Sequence, residues 1–190
     1  RNLIYPIDWQ ALVDTVGGFP CVLKDAHGGG WKEVYIVHSM QELYDAYNQT
    51  GLLSMVLQEF IRWDDYARCM CLGQSDVRVM KYNPNERYYY PEPDFSPELF
   101  QRIHDDTLAI CRAFGYDMNT CEFAIRDGIP YAIDFMNPAP DMDVNSLGRN
   151  HFDWMVTHMA DMTIRLALSD EQTRDSYAWG KQSRDADHAT

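Results

Sequence analysis

The sequence has no apolar run of the roughly 18 residues that a membrane-spanning helix needs, and no signal-peptide pattern. It has no CxxC pair, although five cysteines are present: Cys21, Cys69, Cys71, Cys111 and Cys121. Each lies in an apolar stretch, which predicts reduced core thiols and a cytoplasmic setting rather than a disulfide framework. Cys69 and Cys71 share a face of a predicted strand, but no second ligand pair accompanies them to complete a thiolate metal site. Positive charge is scarce: 16 Lys and Arg stand against 29 Asp and Glu, a formal net charge of −13. A surface this acidic argues against nucleic acid and anionic membrane as partners, while leaving room for a locally basic pocket. There is no GxxxxGK[ST] motif, no internal repeat and no low-complexity linker.

What is present is ordinary core-forming composition. The 190 residues are 46% hydrophobic and 24% charged, enough for one domain or two small lobes. FPCVLKD (19–25) and EVYIVH (33–38) read as a hairpin around the glycine loop HGGGW (27–31). Ser39 caps a predicted helix over 40–49, ended by Gly51. SMVLQEFI (54–61), DYARCMCLG (65–73) and DVRVMKYN (76–83) follow as strands, then a tyrosine-rich loop over 83–95. Ser96-Pro97 opens a helix over 97–114 that ends at Gly115. A strand, turn and strand over 119–135 precede a last helix over 151–167. The predicted order is β-β-α-β-β-β-α-β-β-α, an α+β architecture with mostly antiparallel sheets.

Four constellations could carry chemistry. The first is the hairpin around Asp127-Gly128, where Glu122 and Asp134 stand twelve residues apart. A two-residue loop pairs 122 with 133 and sends the two acids to opposite faces. A three-residue loop, with Gly128 left-handed, pairs 122 with 132 and puts them on one face. Paired carboxylates need a proton or a cation between them, and hard oxygen ligands suit Mg²⁺. The second is Lys24 at the end of a buried strand, before Gly28, Gly29 and Gly30, a loop whose N–H groups could meet phosphate. The third is Arg68 and Lys81, cations in apolar strands that demand anionic partners. The fourth is LQEFIRWDD (57–65), a strand running into an acidic turn.

Taken in this order, from about 20 to 165, these pieces resemble an ATP-grasp domain. The matching residues are Lys24 with its glycine loop, the QEFI stretch, the arginine strand DYARCMCLG, Lys81, and the carboxylate hairpin EFAIRDGIPYAIDFMN. The likeness is greatest to the branch that includes the ribosomal-protein glutamate ligases. It implies two α+β lobes, 1–58 and 59–167, with a polar tail over 168–190. It implies that Lys24 and Gly28–Gly30 hold ATP phosphates, that Glu59, Phe60 and Ile61 read adenine, and that Asp64 or Asp65 lies near the ribose. Arg68 and Lys81 would face the transferred phosphoryl group. Glu122, Asp134 and Asn137 would hold Mg²⁺ or Mn²⁺. The implied reaction activates a carboxylate as an acyl-phosphate and transfers it to an amine. A degenerate nucleotide- or partner-binding module and a small-molecule kinase of the same fold are the alternatives.

Two departures accompany the resemblance. The family places its asparagine two residues after the second acid, but residue 136 is Met and Asn137 comes three after Asp134. Strand alternation turns Asn137 to the other face unless a bulge intervenes. Otherwise it caps the next turn, and Asp141 or Asp143 substitutes. The family also has a preceding segment and a separate N-terminal domain, so the chain is expected to be a fragment with its N-terminal part truncated.

Overall fold

The computed structural model describes residues 6–169, so nearly all of the expected polar tail lies outside the described residues. The chain divides into two compact units, Arg1–Ile61 and Arg62–Thr190.

The first unit opens with helix α1 (Trp9–Thr15) and continues β1 (Cys21–Asp25), β2 (Val34–Val37), α2 (Met40–Gln49) and β3 (Met55–Glu59). The sheet is antiparallel in the order β2-β1-β3. Alternation along β1 decides its faces. Cys21 and Leu23 are buried with Val13 of α1 and with Leu43 and Ala46 of α2. Val22 and Lys24 project from the opposite face, beside Val34, Ile36, Val56 and Gln58. α1 had no counterpart among the sequence expectations, although its signal is present. The Asp8 side chain accepts from Ala11 N–H at 3.0 Å, and Trp9 packs edge-on against Tyr44 and Tyr47.

The second unit holds β4 (Asp65–Leu72), β5 (Asp76–Asn83), β6 (Tyr88–Tyr89), α3 (Pro97–Phe114), β7 (Met118–Arg126), β8 (Ile129–Asn137), α4 (Val144–Leu147) and α5 (Arg149–Leu168). Its five strands form one antiparallel sheet in the order β6-β5-β4-β7-β8. α3 starts as expected, with Ser96 Oγ accepting from Leu99 N–H and Pro97 in the first turn, and ends at a left-handed Gly115. Ile103 and Cys111 of α3 bury against Ala67, Cys69, Cys71, Cys121 and Phe123, the odd-numbered residues of β4 and β7. All five cysteines are buried and free. The sheet's other face carries the even-numbered residues, and there α5 contributes the buried His151, Met155 and Met162. β6 and α4 lie where no element was expected, and both are too short for a periodic signal.

Candidate functional site

The carboxylate hairpin uses a two-residue turn. Arg126 pairs with Ile129, and Asp127 and Gly128 both have positive φ, 53° and 73°. That is the φ pair of a type I′ turn, which suits Asp-Gly. Counting from this turn alone would put Glu122 and Asp134 on opposite faces. The register then shifts by one residue between Phe123↔Ala132 and Glu122↔Asp134, so the two acids become direct partners. A second shift before Thr120↔Asn137 brings Asn137 opposite a residue of the same parity as Glu122. Directly opposed residues of adjacent strands share a face. The two bulges therefore collect Glu122, Asp134 and Asn137 on one face, the outcome that strand alternation alone forbids.

Arg68 completes the row, since it is the β4 partner of Glu122. Its Nε lies 3.3 Å from Glu122 Oε1, and both side chains are largely shielded, 14% and 15% exposed. The geometry is that of an ion pair, because Arg68 Nε has no aligned hydrogen-bond acceptor. The guanidinium sits 5.6 Å from the Tyr82 ring centroid and 5.9 Å from that of Tyr89. Burial opposes its charge, but Tyr89, Glu122, Tyr82 and Tyr66 outweigh burial and hold its pKa above the usual arginine value. The Tyr66 hydroxyl donates to the other Glu122 oxygen, Oε2. Burial, then Glu122 and Asp134, push the Tyr66 pKa up, so this phenol stays protonated. Burial likewise raises Tyr82 and Tyr89 against the opposing charge of Arg68. The Asp141 carboxyl is held below the usual range by the Ser146 hydroxyl, then by Asp143 N–H, with Arg68 adding a smaller favourable charge, all against the opposing effect of burial.

Lys81 does not join this row. β5 presents Met80 opposite Arg68, and Lys81 pairs with Ala67 on the α3 side of the sheet. Its ammonium lies 3.1 Å from Asp65 Oδ1 and 2.6 Å from Asp94 Oδ1. Strand parity thus places Lys81 and Arg68 on opposite faces of the sheet, and Asp65 is engaged by Lys81. The signal was in the sequence. The three-residue turn Gly73 to Ser75 pairs Leu72 with Asp76, and counting back places Lys81 opposite Ala67. The same parity assigns Tyr66 and Tyr82 to the Arg68 face, and neither had been singled out. Asp64 is tied to the turn, its Oδ2 accepting from Asp127 N–H at 3.0 Å.

In the first unit, Lys24 lies on the face away from α1 and α2, paired with Val34 and Val56. The glycine loop is folded by Asp25, whose Oδ1 accepts from His27 N–H at 3.1 Å and whose carbonyl accepts from Gly28 N–H at 3.3 Å. A Cβ on Gly28 would meet Asp25 Cβ at 3.0 Å, so a side chain there would force the loop to shift. Gly29 and Gly30 have open space around them. Glu59 is exposed and Ile61 is buried. By register Glu59 has the parity of Cys21, whereas Gln58 shares the Lys24 face.

Among the described residues no three His, Cys, Asp or Glu side chains gather to hold a metal unaided. Two adjacent carboxylates and one amide on a single face nevertheless fit Mg²⁺ or Mn²⁺, which keep waters and take phosphate oxygens as further ligands. Glu122 is partly committed to Arg68 and Tyr66, and Asp134 is exposed.

No protein-family model matches the chain. It is 26% identical over 137 residues to mitochondrial pyruvate carboxylase of Homo sapiens, covering 62% of this chain and 12% of that protein. It is 24% identical over 147 residues to D-alanine–D-alanine ligase of Clostridium botulinum (strain Alaska E43 / Type E3), covering 68% of this chain and 48% of the ligase. The fold is similar to that of D-alanine–D-alanine ligase from Bacillus anthracis complexed with ATP, with TM-score 0.65 and 19% identity over 81% of this chain and 54% of that one. The chain thus spans about half the length of the ligases it resembles.

Proposed function

We propose a function from the premise that this chain carries the ATP-grasp fold. The chain is the nucleotide-binding catalytic core of an ATP-dependent carboxylate–amine ligase. The observation that carries this reading is the cross-strand row Arg68, Glu122, Asp134 with Asn137 beside it, assembled by two register shifts in β8. Structural relatives named as D-alanine–D-alanine ligases, one of them complexed with ATP, support the reaction class.

Glu122, Asp134 and Asn137 are the residues that would hold Mg²⁺ or Mn²⁺, which when bound neutralises triphosphate charge. Arg68 presents a guanidinium whose proton is secured by Glu122 and three tyrosines, so it remains a cation as charge develops on the transferred phosphoryl group. Tyr66 holds Glu122 in place through its hydroxyl. Lys24 and the Gly28–Gly30 loop contact phosphates, and the Glu59–Ile61 backbone meets the adenine. The carboxylate of the substrate attacks the terminal phosphorus, ADP leaves, and an amine displaces phosphate from the acyl-phosphate to give the amide. Lys81 and Asp65, joined to each other on the α3 side of the sheet, stand apart from the Arg68 row.

The test is calorimetric titration of a non-hydrolysable ATP analogue into the chain, with Mg²⁺ and then with EDTA. Metal-dependent binding that falls at least tenfold in Asp134→Asn is expected. Binding that ignores both EDTA and Asp134→Asn would leave a degenerate nucleotide-binding module. No binding, with or without metal, would remove the nucleotide reading.

A further inference from the structure

The second bulge in β8 breaks the ladder at Met136, and something must hold the strand there. Asn119 of β7 is fully buried. Its Nδ2 donates to the Phe135 carbonyl at 2.8 Å, and its Oδ1 accepts from Asn137 N–H at 2.8 Å. Those two main-chain groups flank Met136, the residue that stands 55% exposed at the bulge. The side-chain amide therefore does the work of a peptide unit, one donor and one acceptor facing one acceptor and one donor. Its orientation is unambiguous, because a carbonyl needs the NH₂ and an N–H needs the oxygen. The same NH₂ lies 3.5 Å from Cys111 Sγ and 3.4 Å from Cys121 Sγ, two weak acceptors.

We infer that Asn119 is a positioning residue. Its amide stabilises the register shift that turns Asn137 onto the face of Glu122 and Asp134. This inference rests on the proposed metal role of Asn137 for its functional meaning, and on the hydrogen bonds for its structural meaning. No uncharged side chain of similar size other than an amide supplies both a donor and an acceptor in a plane. A chain that lost Asn119 would gain by closing the ladder without the bulge, which returns Asn137 to the α3 face.

The experiment uses the whole chain as wild type, Asn119→Leu, Asn119→Ala, Asn137→Ala and the double variants. Amide exchange read by NMR without metal is the first arm. At least tenfold loss of protection at the Asn137 amide is expected in the Asn119 variants, with the Ile125 amide near the turn unchanged. Mn²⁺ titration in the presence of the ATP analogue is the second arm. Asn119→Leu and Asn137→Ala should each weaken Mn²⁺ by roughly tenfold, with the double variant no weaker than either. If Asn119→Leu does not fold, Asn119→Ala is read in both arms. An Asn137 amide that stays protected, or losses that multiply in the double variant, would overturn the inference. Wild-type chain that binds no Mn²⁺ would sink the ligase reading instead, and the exchange arm would still decide the role of Asn119.

Discussion

Arg68 is enclosed by a carboxylate and two phenol rings, so removing its charge strands Glu122 in a shielded place. Breaking one side of such a pair costs about 3 kcal/mol, whereas loss of an exposed pair costs well under about 1. Urea unfolding should therefore show Arg68→Ala destabilised by about 3 kcal/mol and Arg102→Ala, from an exposed pair with Asp106, nearly unchanged. His151 carries a pH signature. Its Nδ1 accepts from Arg78 Nε at 3.2 Å and its Nε2–H faces the Tyr90 carbonyl at 2.9 Å, which fits the neutral ring. Burial lowers its pKa below the ordinary 6.5, the Arg78 charge adds to this, and the Tyr90 carbonyl opposes it. A base with a depressed folded pKa binds fewer protons than its unfolded counterpart, so stability is full above pH 6.5 and falls on acidification. The melting temperature should drop between about pH 7.5 and 5.5, and by less in His151→Gln. His151 was invisible in the sequence, because its partners come from β5 and from the residue after β6.

At the scale of elements, helix signals were legible wherever a cap and a periodic face coincided. Ser39 and Ser96 accept from Glu42 and Leu99 N–H as expected. Ser96→Ala should cost about 1 kcal/mol, measured by chemical unfolding. The Asp127-Gly128 turn was legible as a turn, while its length was left open between two and three residues. Two positive φ values at its centre predict that Gly128→Ala costs about 1 kcal/mol or more, and that Asp127→Gly is tolerated. Thermal unfolding of the pair of variants checks this. A bulge before Asn137 was one of two readings the chain allowed, and what holds it was not legible, because Asn119 reads as an ordinary polar residue until its side chain is seen bridging Phe135 and Asn137.

For the whole molecule, the charge of −13 sets a long-range repulsion toward any anion. A nucleotide must approach against that field before it meets Lys24 or Arg68. The Debye length falls from about 30 Å at 0.01 M ionic strength to about 8 Å at 0.15 M. Stopped-flow association of the ATP analogue should thus be faster at the higher salt. An association rate that falls with added salt would mean that a local cationic field dominates.

Local sequence by itself determined the order of most elements, the capped helices, the Asp-Gly turn and the alternation that puts Lys24 opposite the buried face of β1. These are properties of near neighbours, governed by periodicity, capping and turn stereochemistry. Tertiary structure decided which charged residues meet. Arg68 and Lys81 each interrupt an apolar strand, but only the folded sheet gives Arg68 its partner Glu122 and Lys81 its partners Asp65 and Asp94. Glu122, Asp134 and Asn137 come together only through two one-residue slips. A slip of one residue reverses every side chain beyond it, and a buried amide from the adjoining strand is bonded across the second slip.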